Sequence, residues 1–139
     1  MPKTQTIQLR LMRALKITFI AHFIIDLIFA LPLLFYPKFL FILFDFQSLD
    51  LITPRIIGSA LFAIGTISLL VQNASKEVFI SFLKFKLLWS SSCVLALFLG
   101  LIGDEMVLQS MLAKASLIGA LVIFAIFFSI WLFFYLKLK

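Results

Sequence analysis

Long apolar stretches separated by short polar breaks dominate the chain, and the spacing of those breaks predicts its elements. Apolar runs extend from Leu15 to Tyr36, Thr53 to Val71, Val78 to Leu101 and Ala113 to Leu136. Each is long enough to cross a hydrocarbon core of about 30 Å as a helix rising about 1.5 Å per residue. The runs are continuous and lack the period-two alternation of membrane strands, which predicts helices rather than a barrel. The expected fold is all-α: a single polytopic transmembrane domain over residues 1–139, a four-helix bundle.

The polar breaks carry the chemistry that ends and starts helices. Pro32 is expected to kink the first helix and Pro37 to end it. Thr53 followed by Pro54 reads as an N-cap with proline in the first turn. The segment from Gln72 to Glu77 reads as a turn at the membrane surface, and Gly103, before Asp104 and Glu105, reads as a helix terminator. Connections this short predict antiparallel neighbours.

Composition strengthens this picture. Of 139 residues, 64% are hydrophobic and 13% charged, against about half and a quarter in soluble domains. A chain this short cannot hide so much apolar surface from water. The basic N-terminus followed by an apolar run resembles a secretory signal, but the run is too long and no small-residue cleavage site follows, so the first helix is read as retained.

Charge then sets the orientation. Nine basic residues lie on one side: Lys3, Arg10, Arg13, Lys16, Lys76, Lys84, Lys86, Lys137 and Lys139. The other side has three, Lys38, Arg55 and Lys114, with four acids, Asp45, Asp50, Asp104 and Glu105. The positive-inside rule therefore puts both termini in the cytoplasm of a multi-pass protein of the inner (plasma) membrane. Residues 1–14 are expected to be cytoplasmic, with Gln8 to Lys16 fitting an interfacial amphipathic helix that runs into the first span. The net charge of +6 is explained by anionic headgroups. No basic, aromatic-interleaved soluble module exists to hold nucleic acid, and none is expected as a partner.

Candidate chemistry is sparse. Thr18, His22 and Asp26 recur every fourth residue and stack on one face of the first helix. Asp26 falls near mid-bilayer, where a carboxylate must be protonated, paired or turned inward. His22 and Arg55 are its candidate partners. One reading makes these four residues a proton-binding or ligand-binding cluster; another makes them hydrogen-bonding glue between helices. The sequence presents no metal ligand set and identifies no cofactor. Cys93 has no second cysteine to pair with and reads as a packing residue.

Small residues form two further stripes, Gly58, Gly65 and Ser68 on the second helix and Cys93, Ala96, Gly100 and Gly103 on the third, both suited to close helix packing. The hydroxyls of Ser90, Ser91 and Ser92 are expected to bond their own helix. No H-E-x-x-H, phosphate loop, G-x-S-x-G or in-helix carboxylate pair is present, so the sequence leans away from an enzyme.

Arg55-Ile-Ile-Gly58 opening the second helix, Gly65 seven residues on, Pro37 ending the first, and four spans in 139 residues are together similar to small uncharacterised four-helix membrane proteins of the broad DoxX-like group. Some members of that group are linked, as membrane subunits, to quinone-coupled oxidation of sulfur compounds, and the resemblance would make Arg55 the residue of interest. Three functions follow as expectations. The first is a non-catalytic membrane subunit that packs with itself or with a larger membrane complex. The second is a proton-linked carrier or small-ligand binder using Asp26, His22 and Arg55. The third, from resemblance alone, is a membrane-embedded redox component.

Overall fold

A computed structural model describes residues 3–47, 50–103 and 109–139, with side chains from residue 7 onward. Five α-helices follow in chain order: α1 (Lys3–Phe35), α2 (Pro37–Leu43), α3 (Ile52–Leu70), α4 (Lys76–Ile102) and α5 (Met111–Leu138). A single 3-10 turn, Val71–Asn73, leads from α3 toward α4. Four of the helices, α1, α3, α4 and α5, are long and apolar enough to cross a membrane. Among the described residues there is no strand.

Three of the four spans begin and end within two residues of the expected positions; α1 does not. It starts at Lys3, ahead of both the apolar run from Leu15 and the helix expected from Gln8 to run into it, and continues unbroken through Pro32, a length of about 50 Å at the usual rise. Polar helix formers around Arg10 and Arg13 extend the helix where no apolar run announces it. Pro37 does close α1, but it also opens α2, a short helix that the apolar pattern did not distinguish from a loop. Proline suits that first position because its missing N–H would have had no intrahelical partner.

The start of α3 corrects a second expectation. Thr53 is not the cap but lies inside the helix. Leu51 is the cap residue, and the Asp50 side chain just before it serves the first turn: Oδ1 accepts hydrogen bonds from the amides of Ile52 at 2.8 Å and Thr53 at 3.2 Å. Pro54 sits in the first turn, as expected. Gly103 does follow the last residue of α4, without positive φ, and its N–H donates to the carbonyl of Leu99. Asp104 and Glu105 lie outside the described residues.

The chain divides into two compact units, one of residues 1–37, 50–79 and 138, the other of residues 38–49, 80–137 and 139. In the first, α1 and α3 pack antiparallel along their small-residue faces. A Cβ on Gly58 would stand 2.8 Å from the Leu34 nitrogen and 2.9 Å from the Ala30 oxygen, so the two backbones touch there. The first turn of α4 joins this unit through Phe79, whose ring centroid is 5.4 Å from that of Phe19.

In the second unit, α2 is tied to the start of α5. Asp45, at φ 55°, ends α2 in the left-handed region, and the N–H of Phe46 donates to the carbonyl of Phe41. The Ser110 hydroxyl donates to the Asp45 carbonyl and accepts from the Ala113 amide, both at 3.1 Å, so one side chain caps α5 and holds the end of α2. The Gln47 amide donates to Gln109 Oε1 at 3.2 Å.

Candidate functional site

Leu15, Phe19, His22, Asp26 and Ala30 form the buried line of α1. Their steps of three or four residues keep them on one stripe. Two of the five are ionisable, and both are nearly sealed from outside, His22 at 5% and Asp26 at 6% exposure. One turn of helix brings His22 Nδ1 and Asp26 Oδ2 to 2.7 Å. That is the separation of a charge-assisted hydrogen bond, yet the approach lacks its alignment, and Oδ2 keeps no directional hydrogen-bond partner among the described residues. The contact is therefore electrostatic in the main.

Across the helix pair, the Asp26 carboxyl rests on Gly65. A Cβ at that position would lie 2.9 Å from Asp26 Cβ and 3.2 Å from Oδ2. Any other residue would push the carboxyl away. The rest of the α3 face is apolar or internally satisfied: Leu61 and Ile64 are buried, and the fully buried Ser68 donates its hydroxyl to the carbonyl of Ile64.

The other two members of the sequence-derived cluster lie elsewhere. Thr18 is half-buried and turns its hydroxyl back to the Ala14 carbonyl at 2.9 Å. Arg55 is exposed. It stands ten residues before Gly65, about 15 Å along α3 and beyond the reach of an arginine side chain. Of the four candidates, the structure joins only His22 and Asp26.

The small-residue stripes also part company. Gly58, Gly65 and Ser68 are buried at the α1–α3 contact. On α4, Cys93 is half-buried and Ala96 exposed, nothing lies within 4 Å of a Cβ built on Gly100, and Gly103 meets only carbonyls of its own helix. Ser90 and Ser91 bond the carbonyls of Lys86 and Leu88 in their own helix.

One buried charge lay outside sequence reasoning. Lys86, counted above among the cytoplasmic lysines, is 2% exposed, and its Nζ lies 4.9 Å from the ring centroid of Trp131. Trp131 is itself buried and stacks on Phe127 at 5.7 Å. A cation on an aromatic face recovers part of its lost hydration. A signal was present: Lys84 and Lys86 are two residues apart and so face different sides of a helix, which means that both cannot point to the same water. Without Lys86 the basic residues still divide eight to three.

No group of three or more histidine, cysteine, aspartate or glutamate side chains able to hold a metal occurs among the described residues. Compared with known proteins, the chain matches no family model, no curated protein and no solved structure.

Proposed function

We propose that the protein is a small non-catalytic subunit of the plasma membrane, with both termini in the cytoplasm, that assembles with copies of itself or with a larger membrane complex. One observation carries this reading: α4 and α5 bury only 11% of their apolar windows, against 22% in α1 and 33% in α3. On α4 nothing is buried after Ser90, and on α5 nothing is buried between Ala113 and Trp131. These uncovered lengths include Gly100 and Gly119, around which no heavy atom lies within 4 Å of a built Cβ.

Glycine costs a membrane helix conformational freedom and adds nothing to lipid contact, whereas it lets a second helix approach closely. The buried hydroxyls return to their own helices, which fits a packing role better than a reaction centre. The exposed position of Arg55, the residue marked by the DoxX-like resemblance, also suits contact with another chain.

Extraction in a mild detergent followed by native mass spectrometry tests the reading. A homo-oligomer or a stoichiometric larger partner is expected, and Gly100→Ile or Gly119→Ile should dissolve it while leaving the α1–α3 pair folded. A monomer with no bound chain overturns it.

A further inference from the structure

We infer that the outward face of α1 is a binding site for one molecule of an anionic phospholipid, with its phosphate on Arg10 and Arg13 and its acyl chains along Ile17, Ile20 and Ile24. The inference goes beyond assembly with other chains and rests on α1 alone.

Helical register builds the face. Arg10, Arg13, Ile17, Ile20, Ile24 and Ile28 follow one another at steps of three or four residues, and all six are exposed. At about 100° per residue they fall within a stripe about 80° wide. Its centre lies about 160° around the helix from the buried line that runs from Leu15 to Ala30. The packing of α1 against α3 therefore turns both arginines outward.

The order of residues along the stripe matches the order of groups in a phospholipid. One leaflet of a hydrocarbon core is about 15 Å deep, which about ten residues of helix cover, so Ile17, Ile20 and Ile24 fall within it. Arg13 and Arg10 precede Ile17 by four and seven residues, about 6 and 10 Å further out, at the depth of the polar headgroups. Residues three apart hold their Cβ atoms about 5–6 Å from each other. Two guanidinium groups so placed can both donate to the oxygens of one phosphate.

Surrounding charge selects the headgroup. No aspartate or glutamate precedes Asp26 in the chain, and Asp26 belongs to the buried line. Lys16 stands beside the stripe, half-buried, with its Nζ 6.0 Å from the Phe79 ring centroid. The first turn of α4 brings one charge of each sign, Lys76 and Glu77. An anionic headgroup is attracted as a whole, whereas a zwitterionic one carries its own cation toward the arginines.

Residue size argues for a lipid instead of a helix as the occupant. Helix contacts in membranes are built on small residues that let backbones approach. This stripe has none, unlike the open surfaces of α4 and α5 with Gly100 and Gly119.

A bimane label at residue 20, in full-length protein carrying Ile20→Cys and Cys93→Ala, reports on lipid at this face. The protein is reconstituted in liposomes of phosphatidylcholine and phosphatidylglycerol, with brominated acyl chains on one lipid and then on the other. The two quenching curves give the relative binding constant. Phosphatidylglycerol should bind about fivefold more strongly or better. Arg10→Gln with Arg13→Gln should bring the ratio close to one. Lys137→Gln with Lys139→Gln, which removes the same charge from exposed positions, should leave it unchanged.

A ratio near one before the arginines are replaced overturns the site. An equal fall in both double variants does so too, because only general attraction between charges would remain. Absence of quenching by either lipid also overturns it, since another chain would then cover the face. Should the double arginine variant fail to fold, Arg13→Gln alone decides: a partial fall supports the site, and an unchanged ratio refutes it.

Discussion

Asp26 sits directly on Gly65, with only 2.9 Å between its Cβ and the position a Cβ at residue 65 would occupy. The same helix pair closes still tighter at Gly58, where the obstructing atoms are the backbone of Leu34 and Ala30 and cannot rotate aside. Overpacking of this kind costs about 1–3 kcal/mol. Gly58→Ala and Gly65→Ala should each destabilise the protein by about that amount in a reversible unfolding assay in detergent micelles. Gly100→Ala, with open space around it, should leave the isolated chain unchanged.

The start of α3 should be pH-sensitive. Hydrogen bonds from the Thr53 hydroxyl and from the amides of Ile52 and Thr53 hold the Asp50 carboxyl below its ordinary value of 3.8. A lowered carboxylate stabilises the folded state above its unfolded value, and the contribution is lost as pH falls through the folded value. The Ile52 and Thr53 amides should thus stay protected against hydrogen exchange at pH 6 and lose that protection, beyond the intrinsic change in exchange rate, below about pH 3.8. In Asp50→Ala they should be unprotected at every pH.

Asp45 ends α2 at φ 55°, a conformation that side chains tolerate poorly and glycine adopts freely. Asp45→Gly should therefore stabilise the second unit, and Asp45→Val should destabilise it by about 1–2 kcal/mol. Thermal unfolding followed by circular dichroism distinguishes the two directions.

Ser110 serves two backbones at once, and its removal should be felt at both. Ser110→Ala should cost about 1 kcal/mol, the usual loss for an N-cap. Amide exchange should quicken at Ala113, which loses its acceptor. Ser110→Thr keeps the hydroxyl and should restore most of that protection.

Trp131 supplies both bulk and an electron-rich face to Lys86. Trp131→Ala should cost about 3–5 kcal/mol, since it opens a cavity as well as removing the ring beneath a buried ammonium. Trp131→Phe should cost much less because a π face remains. Unfolding of the two variants side by side separates the cation's share from the loss of volume.

The four spans were readable from the chain because a bilayer imposes a length and a polarity that show in any single helix. The i, i+4 spacing of His22 and Asp26 was readable for a similar reason, since both residues lie on the same helix and their contact is local. The helical turn before Gln8 and the whole of α2 escaped notice. Neither has an apolar run long enough to separate helix from loop, and propensity and a proline at the first position decide them instead.

What tertiary structure alone decided concerns pairs of helices. Gly65 becomes the seat of a carboxyl only because α3 meets α1 in one register. Lys86 reads as a surface charge until α4 lies against α5 and Trp131 covers it. Thr18 and Arg55 share residue types with the buried pair but lie apart from it, because a helix face and a depth along the axis are each fixed by the neighbour that packs there. Local chemistry is written in neighbouring positions of one chain segment; which residues meet across segments depends on the rotation and register of packed helices, and no single segment encodes those.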